Sequence, residues 1–490
     1  MERSSNNSRR ARLLVTTWKP QCTPLYALTD QGAPKLLDLS DFAFGKRDRS
    51  WNNQAQNFIA ANRPQLTALS VEAQLIADSD IIGLALRPGG VVGAVPLHAP
   101  DTRKIMGGVL VRPRFGWNGI GPLLDSVGWS AQPQILDFPL VPGSAREVPP
   151  WVLAGPVLNH LAALVKDLRR GFQTQEDIRQ TPRGKILWQR YVGSQMTRGA
   201  YQRLPCRFPD LCVDLELRGY IRWGIEAVRR SLAPYSLVDV VARRLSDHAQ
   251  ELLFELKDAP ARPPNRQMLD SLLHGAGPVS NKLALGLQAL GWVVDERGLG
   301  GRSETDGLAW ALPMHELFER WVEHVVRSWA WGFGGAVRTA HGQQTLLPIE
   351  WRRPGHGSLT SLIPDIVVRC ADHVYVIDAK YKGHFQELDD TRWLALAEEL
   401  REQHRHDIHQ VLAYTSLFEA KTITAVLVYP MHPGTWQKLT ATGRTVTTAS
   451  IAAGGRAISL ALVGVPITSM GANDVALIAR TLDALLPLEH

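Results

Sequence analysis

The chain has 490 residues, 45% of them hydrophobic and 21% charged, with a formal net charge of +7. That length exceeds one ordinary core and predicts two or three domains, and that composition excludes a disordered or fibrous polymer. The positive balance fits a polyanionic partner, because lysines and arginines that neutralise phosphates release counterions. No run approaches the roughly 18 apolar residues of a membrane span, and the start MERSSNNSRRARLL is polar and basic, so a cytoplasmic protein without a membrane partner is expected. Four cysteines are few for such a length and predict reduced thiols, with Cys206 and Cys212 read as packing residues.

In chain order, the first dozen residues are expected to be disordered. Residues 1–145 then predict a β-rich N-terminal domain, since IIGLALRPGGVVGAVPLH and GGVLVRPRFG alternate short apolar runs with Gly/Pro turns. The proline-rich stretch DFPLVPGSAREVPPW serves as a linker, with a boundary near 145. Residues 146–305 read as a mostly helical middle region: WVLAGPVLNHLAALVKDLRRGF has three- and four-residue apolar spacing, and helical stretches recur around 214–257 and 281–293. A second linker, DERGLGGRSETDG, covers 295–307. Residues 306–490 open with a helix whose first turn suits Pro313 and whose Leu317, Trp321 and Val325 form one stripe. Strands follow at 363–369 and 373–380, then the helix HDIHQVLAYTSLFEA and the strand TITAVLVYP. The fold class expected is a multidomain α+β protein with an α/β C-terminal domain.

Chemistry concentrates in IPDIVVRCADHVYVIDAKYK, residues 363–382. Residues two apart on a strand share a face, so Asp378, Lys380 and Lys382 point one way while Tyr375, Ile377, Ala379 and Tyr381 point the other. A short turn at CADH folds the strand of Asp365 back beside this one, and two carboxylates and an ammonium converge at one sheet end. Mg²⁺ takes hard oxygen ligands, usually one or two carboxylates completed by water and phosphate. A lysine beside it can orient the attacking water, which makes phosphodiester hydrolysis the chemistry of such a group.

Pro364, Asp365, Asp378 and Lys380 resemble the motif of the PD-(D/E)xK nuclease superfamily. Two further elements resemble it in order: Glu319 in LFER, on the preceding helix, and Gln410 with Tyr414 in QVLAY, similar to the Q-x-x-x-Y element of the RecB-like branch. Across the chain, GGVLVRPRFG, LRRGF, TPRGKI, LPCRFPDLCVD, LFE, PDIVV, VIDAKYK, HQVLAY and VLVYP occur in the order found in McrC, the nuclease subunit of McrBC-type restriction systems. The resemblance implies a C-terminal PD-(D/E)xK domain that cuts double-stranded DNA with Mg²⁺, or Mn²⁺ in its place. It implies Asp365, Asp378 and Glu319 as metal ligands, with Lys380, Gln410 and Tyr414 completing the catalytic set. It also implies that residues 1–145 dock on a hexameric AAA+ NTPase of McrB type. The chain has no G-x-x-x-x-G-K-[ST] of its own; its nearest stretch is GAGPVSNK.

Each assignment has a plainer alternative. The two aspartates and the lysine would be a surface ion pair on a hairpin, and Glu316, Glu319 and Glu323 a solvated stripe at helical spacing. Gln410 and Tyr414 would cap and pack their helix. His404, His406 and His409 read as a solvated basic stretch, since the first two do not share a helical face. Arg183 and Lys185 read as a DNA or NTPase contact or an ordinary strand edge. For the whole chain, an autonomous nuclease and a catalytically silent scaffold for a partner NTPase stand beside the restriction subunit.

Overall fold

The computed structural model describes residues 24–39, 51–77, 82–144, 147–168, 171–212, 214–274, 280–294, 306–349, 359–382, 398–453, 456–467 and 472–486. The first dozen residues and positions 295–305 of the second expected linker lie outside them.

The chain begins with β1 (Leu25–Thr29), β2 (Lys35–Asp38), helix α1 (Trp51–Ala68), and strands β3 (Val71–Ala77), β4 (Ile82–Pro88), β5 (Val91–His98) and β6 (Ile105–Arg112). β5 and β6 form an antiparallel hairpin with β1 parallel to β6, while β2, β4 and β3 make a separate antiparallel sheet. The unbroken apolar run of β5 follows from burial on both faces. Val91, Val95 and Leu97 join Phe58 and Leu66 of α1 in one core, whereas Val92 and Ala94 enter a larger core with the helices downstream.

The chain continues with α2 (Trp117–Ser126), β7 (Gln134–Ile135) and α3 (Trp151–Asp167). The middle region is helical except for an antiparallel sheet of β8 (Gly171–Arg179), β9 (Lys185–Ile186) and β10 (Leu204–Cys212). Helices α4 (Leu215–Leu232), α5 (Val240–Glu255), α6 (Arg266–Leu273) and α7 (Asn281–Val294) follow. Asp214, Asp239 and Asn265 cap the first three of these, each side chain accepting from a backbone N–H of the first turn.

β11 (Trp310–Pro313) pairs antiparallel with β5 on one side and β7 on the other, completing the N-terminal sheet, and runs directly into α8 (Met314–Trp331). As the sequence predicts, Leu317, Trp321 and Val325 of α8 are buried. Next come β12 (Ala336–Thr339), β13 (Leu347–Pro348), β14 (Ser361–Leu362), β15 (Ile366–Cys370), β16 (His373–Ala379), α9 (Glu398–Thr415), β17 (Thr422–Met431), α10 (Pro433–Ala441), β18 (Val446–Ala453), β19 (Arg456–Pro466) and α11 (Ala472–Thr481). Six of these strands form one mixed sheet in the order β12-β15-β16-β17-β19-β18, in which the chain passes through α9 between the parallel neighbours β16 and β17 and through α10 and β18 between β17 and β19. The molecule is thus a mixed α/β protein with several sheets. Among the described residues no helix is long and apolar enough to cross a membrane.

Candidate active site

β15 and β16 are joined by a turn at Ala371 and Asp372, and their register sets Ile366 opposite Ile377. One step outward, the same register places Asp365 against Asp378 at the end of the sheet. Asp365 Oδ2 accepts a hydrogen bond from the backbone N–H of Ala379 at 2.8 Å. Tyr375 of β16, and Tyr381 just beyond its end, face α8, where their rings meet Trp329 at 5.1 Å and Phe318 at 6.0 Å. Asp378, Lys380 and Lys382 point to the other face, toward α9.

There Lys380 Nζ lies 2.7 Å from Asp378 Oδ2 and donates to Gln410 Oε1 at 3.0 Å. Gln410 Nε2 in turn donates to the Tyr414 hydroxyl at 2.9 Å. The structure therefore brings together Asp365, Asp378, Lys380, Gln410 and Tyr414. Glu319, on α8, reaches the group by charge: it raises the Asp365 pKa, and its own carboxyl feels both Asp378 and Lys380. Its Oε2 lies 3.5 Å from His341 Nε2.

Asp378 is 1% exposed. Burial pushes the Asp365 carboxyl well above the carboxylate range, with Asp378 and Glu319 adding to it. Burial also raises Asp378, against the pull of Lys380. Glu319 is pushed up to about 7, by burial first and by Asp378 second. For Lys380, burial opposes the charge, but Asp378, then Asp365 and Asp407, outweigh it and hold the ammonium above the usual lysine range.

Three acidic groups share a patch of low dielectric that favours their protonation, and the oxygen donors it offers a divalent cation are the facing pair Asp365 and Asp378. Asp378 Oδ2 is paired with the Lys380 ammonium at 2.7 Å, so a cation bound at this carboxylate would share it with the lysine. Among the described residues no group of three or more His, Cys, Asp or Glu side chains is gathered tightly enough to hold a metal. A pair of aspartates completed by water and phosphate is the usual protein share of a Mg²⁺ site.

Sequence reasoning missed Asp407. It is buried on α9 and accepts from Lys382 Nζ at 2.7 Å and 3.0 Å, and its position three residues before Gln410 was the available signal. The histidine stretch also differs from expectation. His406 and His409 are exposed, but His404 is buried and its Nδ1 lies 3.1 Å from the Tyr429 hydroxyl, because it falls on the sheet-facing side of α9. The acidic stripe divides: Glu316 is exposed, and Glu323 pairs with Arg327 at 2.8 Å. Arg183 stacks on Phe208 at 4.3 Å, and Cys206 is a buried free thiol.

A mixed sheet with two acidic residues facing each other across adjacent strands, and a lysine two positions on, defines an α/β protein with a buried acid–lysine site. Residues 150–430 match the family model described as McrBC 5-methylcytosine restriction system component. That match spans more than half of the chain, and the chain belongs to this family, which bears out the resemblance to McrC-type subunits. Two solved assemblies of Thermococcus gammatolerans are similar at low level. One is a refined half-complex from a tetradecameric assembly of McrB AAA+ hexamers with bound McrC, at 12% identity over 94% of this chain and 100% of that one, with a TM-score of 0.41. The other is a cryo-EM structure of the McrBC complex, at 12% identity over 62% of this chain and 88% of that one, with a TM-score of 0.26. Comparison with curated proteins gave no match.

Proposed function

We propose that this chain is the Mg²⁺-dependent endonuclease subunit of a McrBC-type restriction system, with a C-terminal PD-(D/E)xK domain that cuts double-stranded DNA. The observation that carries the reading is the Asp365, Asp378 and Lys380 group: two buried carboxylates opposed across β15 and β16, with the ammonium bound to one of them and to Gln410. A structural ion pair would need one carboxylate. The second is costly to bury beside the first unless a cation or a proton compensates it.

In this reading Asp365 and Asp378 hold Mg²⁺, or Mn²⁺ in its place, and Glu319 supports the site from α8. Bound there, the ion would make its water more acidic than bulk water and would stabilise charge on the phosphate. Lys380 orients the attacking water and offers positive charge to the phosphate oxygens as the phosphorus–oxygen bond breaks. Gln410 fixes the Lys380 ammonium, and Tyr414 fixes the Gln410 amide. Membership of the McrBC family supports a separate AAA+ NTPase of McrB type as the partner that hydrolyses nucleotide, which this chain would bind and stimulate.

Cleavage of methylated and unmethylated plasmid by the purified chain in Mg²⁺, with and without that NTPase and its nucleotide, tests the proposal. Wild-type cutting that depends on the partner, and a loss of at least about a hundredfold in Asp378→Ala with the fold intact, is the expected result. Cutting without the partner would favour an autonomous nuclease. Stimulated NTPase activity without cutting would favour a scaffold.

A further inference from the structure

Tyr381 lies between Lys380 and Lys382 in sequence, but its side chain leaves the opposite face of the sheet and ends in the N-terminal sheet. Its hydroxyl donates to Asp30 Oδ2 at 2.7 Å, and Gln31 Nε2 donates to its backbone carbonyl at 2.6 Å, contacts that bridge 351 and 350 residues of sequence. Asp30 follows β1 directly and is fully buried; its Oδ1 accepts the backbone N–H of Arg114, just beyond β6. The Arg114 guanidinium stacks 4.5 Å from the centre of the Tyr381 ring and lies 3.9 Å from Asp30 Oδ2. One side of Tyr381 is thus clamped through its ring, hydroxyl and carbonyl.

The clamp sits just beyond the end of the strand that carries Asp378. β16 ends at Ala379, and beyond it the pairing with β17 continues through one further bond, from the Lys380 N–H to the Val428 carbonyl at 2.8 Å. A burial site for an aromatic ring needs no buried carboxylate, which carries a desolvation cost that an apolar neighbour would avoid. What the polar contacts add is direction. The Lys382 N–H closes a tight turn on the Lys380 carbonyl at 2.8 Å, so fixing the Tyr381 peptide and ring fixes that turn and with it the side chain of Lys380 on the opposite face.

We propose that Asp30, Gln31 and Arg114 are positioning residues for Lys380, so that the N-terminal sheet aligns the end of the catalytic strand. The inference rests on the reading of Lys380 as the catalytic lysine.

The test is plasmid cleavage by the full-length chain with the McrB-type NTPase, comparing wild type, Asp378→Ala, Tyr381→Phe, Asp30→Asn and Gln31→Ala. Tyr381→Phe and Asp30→Asn should lower kcat by roughly 10- to 100-fold, with KM within about twofold. Their double variant should be no slower than the worse single one, because both act through one bond. Gln31→Ala removes only the contact to the backbone, from a residue at the surface, and should lower kcat by roughly threefold to tenfold while folding as wild type. A merely structural role would lower the melting temperature and leave the kcat of the folded fraction unchanged. If wild type cuts, Asp378→Ala does not, and all three clamp variants cut at the wild-type rate, the positioning role is overturned and the nuclease reading stands. If wild type and Asp378→Ala behave alike, the nuclease reading fails and the positioning role with it.

Discussion

Carboxylates that repel one another in a buried patch gain from a proton or from a cation. Glu319 is pushed up to about 7, by burial and then by Asp378, and Asp365 and Asp378 are also raised, burial being the largest cause for each. Unfolded carboxylates titrate near pH ~4, so between about pH 4 and about pH 7 the folded state binds more protons than the unfolded one. The stability these groups contribute is full below that window and is lost as pH rises through it. Metal-free protein in chelator should therefore melt at a lower temperature at about pH 8 than at about pH 5. Added Mg²⁺ or Ca²⁺ should raise the melting temperature more at the higher pH, and Glu319→Gln should flatten the profile. A melting temperature that is level or rises across this range would remove the shared acidic site. The core of this site was legible because a two-residue strand period and a short turn fix where Asp365, Asp378 and Lys380 lie relative to one another. Gln410 and Tyr414 were legible through the resemblance of QVLAY to a Q-x-x-x-Y element, whose four-residue spacing sets both on one helical face. Asp407 was not, since its value depends on which turn of α9 abuts Lys382, and Asp30 has no local signature at all.

Secondary elements show the same division between local pattern and tertiary closure. The stripe on α8 and the β15–β16 hairpin follow from periodicity alone. Helix α1 does not: WNNQAQNFIAANRPQLTA is polar and carries Pro64, and it is held by the burial of Ala55, Phe58 and Leu66. β10 contains Pro205 and Pro209, residues that normally argue against a paired strand, so the sheet inside the helical middle region was hidden. The junction of β5 with β11 depends on one glycine. A Cβ at Gly93 would lie 2.2 Å from the Trp310 carbonyl oxygen and 2.9 Å from the Ala311 Cα, so the two backbones meet where only hydrogen fits. Gly93→Ala should lose about 3 kcal/mol of stability, the upper end for overpacking, read as a lower midpoint in chemical denaturation. Gly193→Ala, where the same atom meets nothing within 4 Å, should stay within about 0.5 kcal/mol of wild type. Equal midpoints for the two variants would show that β11 can move away from β5 at little cost.

At the scale of the molecule, shifts in composition divide the sequence into stretches, and they say nothing about which surfaces close on each other. One core runs from Val92 and Leu110 of the N-terminal sheet through Ile120, Trp151 and Leu161 to Trp310, Leu317 and Trp321, and on to Val376 and Val428 beneath the candidate site. Polar contacts follow the same path: Trp151 Nε1 donates to Asp239 Oδ2 at 2.7 Å, and Tyr381 reaches Asp30. Removing residues 1–145 would strip β5 and β7 from β11 and uncover Trp310 and Leu312, which are now 1% exposed each, directly at the entry to α8. Apolar burial of that kind is what a large core gains over the conformational entropy of its chain. The fragment 146–490 should therefore fail to unfold cooperatively and should self-associate, as read by calorimetry and sedimentation, and should bind divalent cations more weakly than the full chain. A monodisperse fragment that melts in one transition would place the fold of the acid–lysine site entirely within residues 146–490 and reduce the N-terminal sheet to an attachment. The interlocking of β11 and the contacts of Tyr381 argue instead that the site is a property of the whole chain.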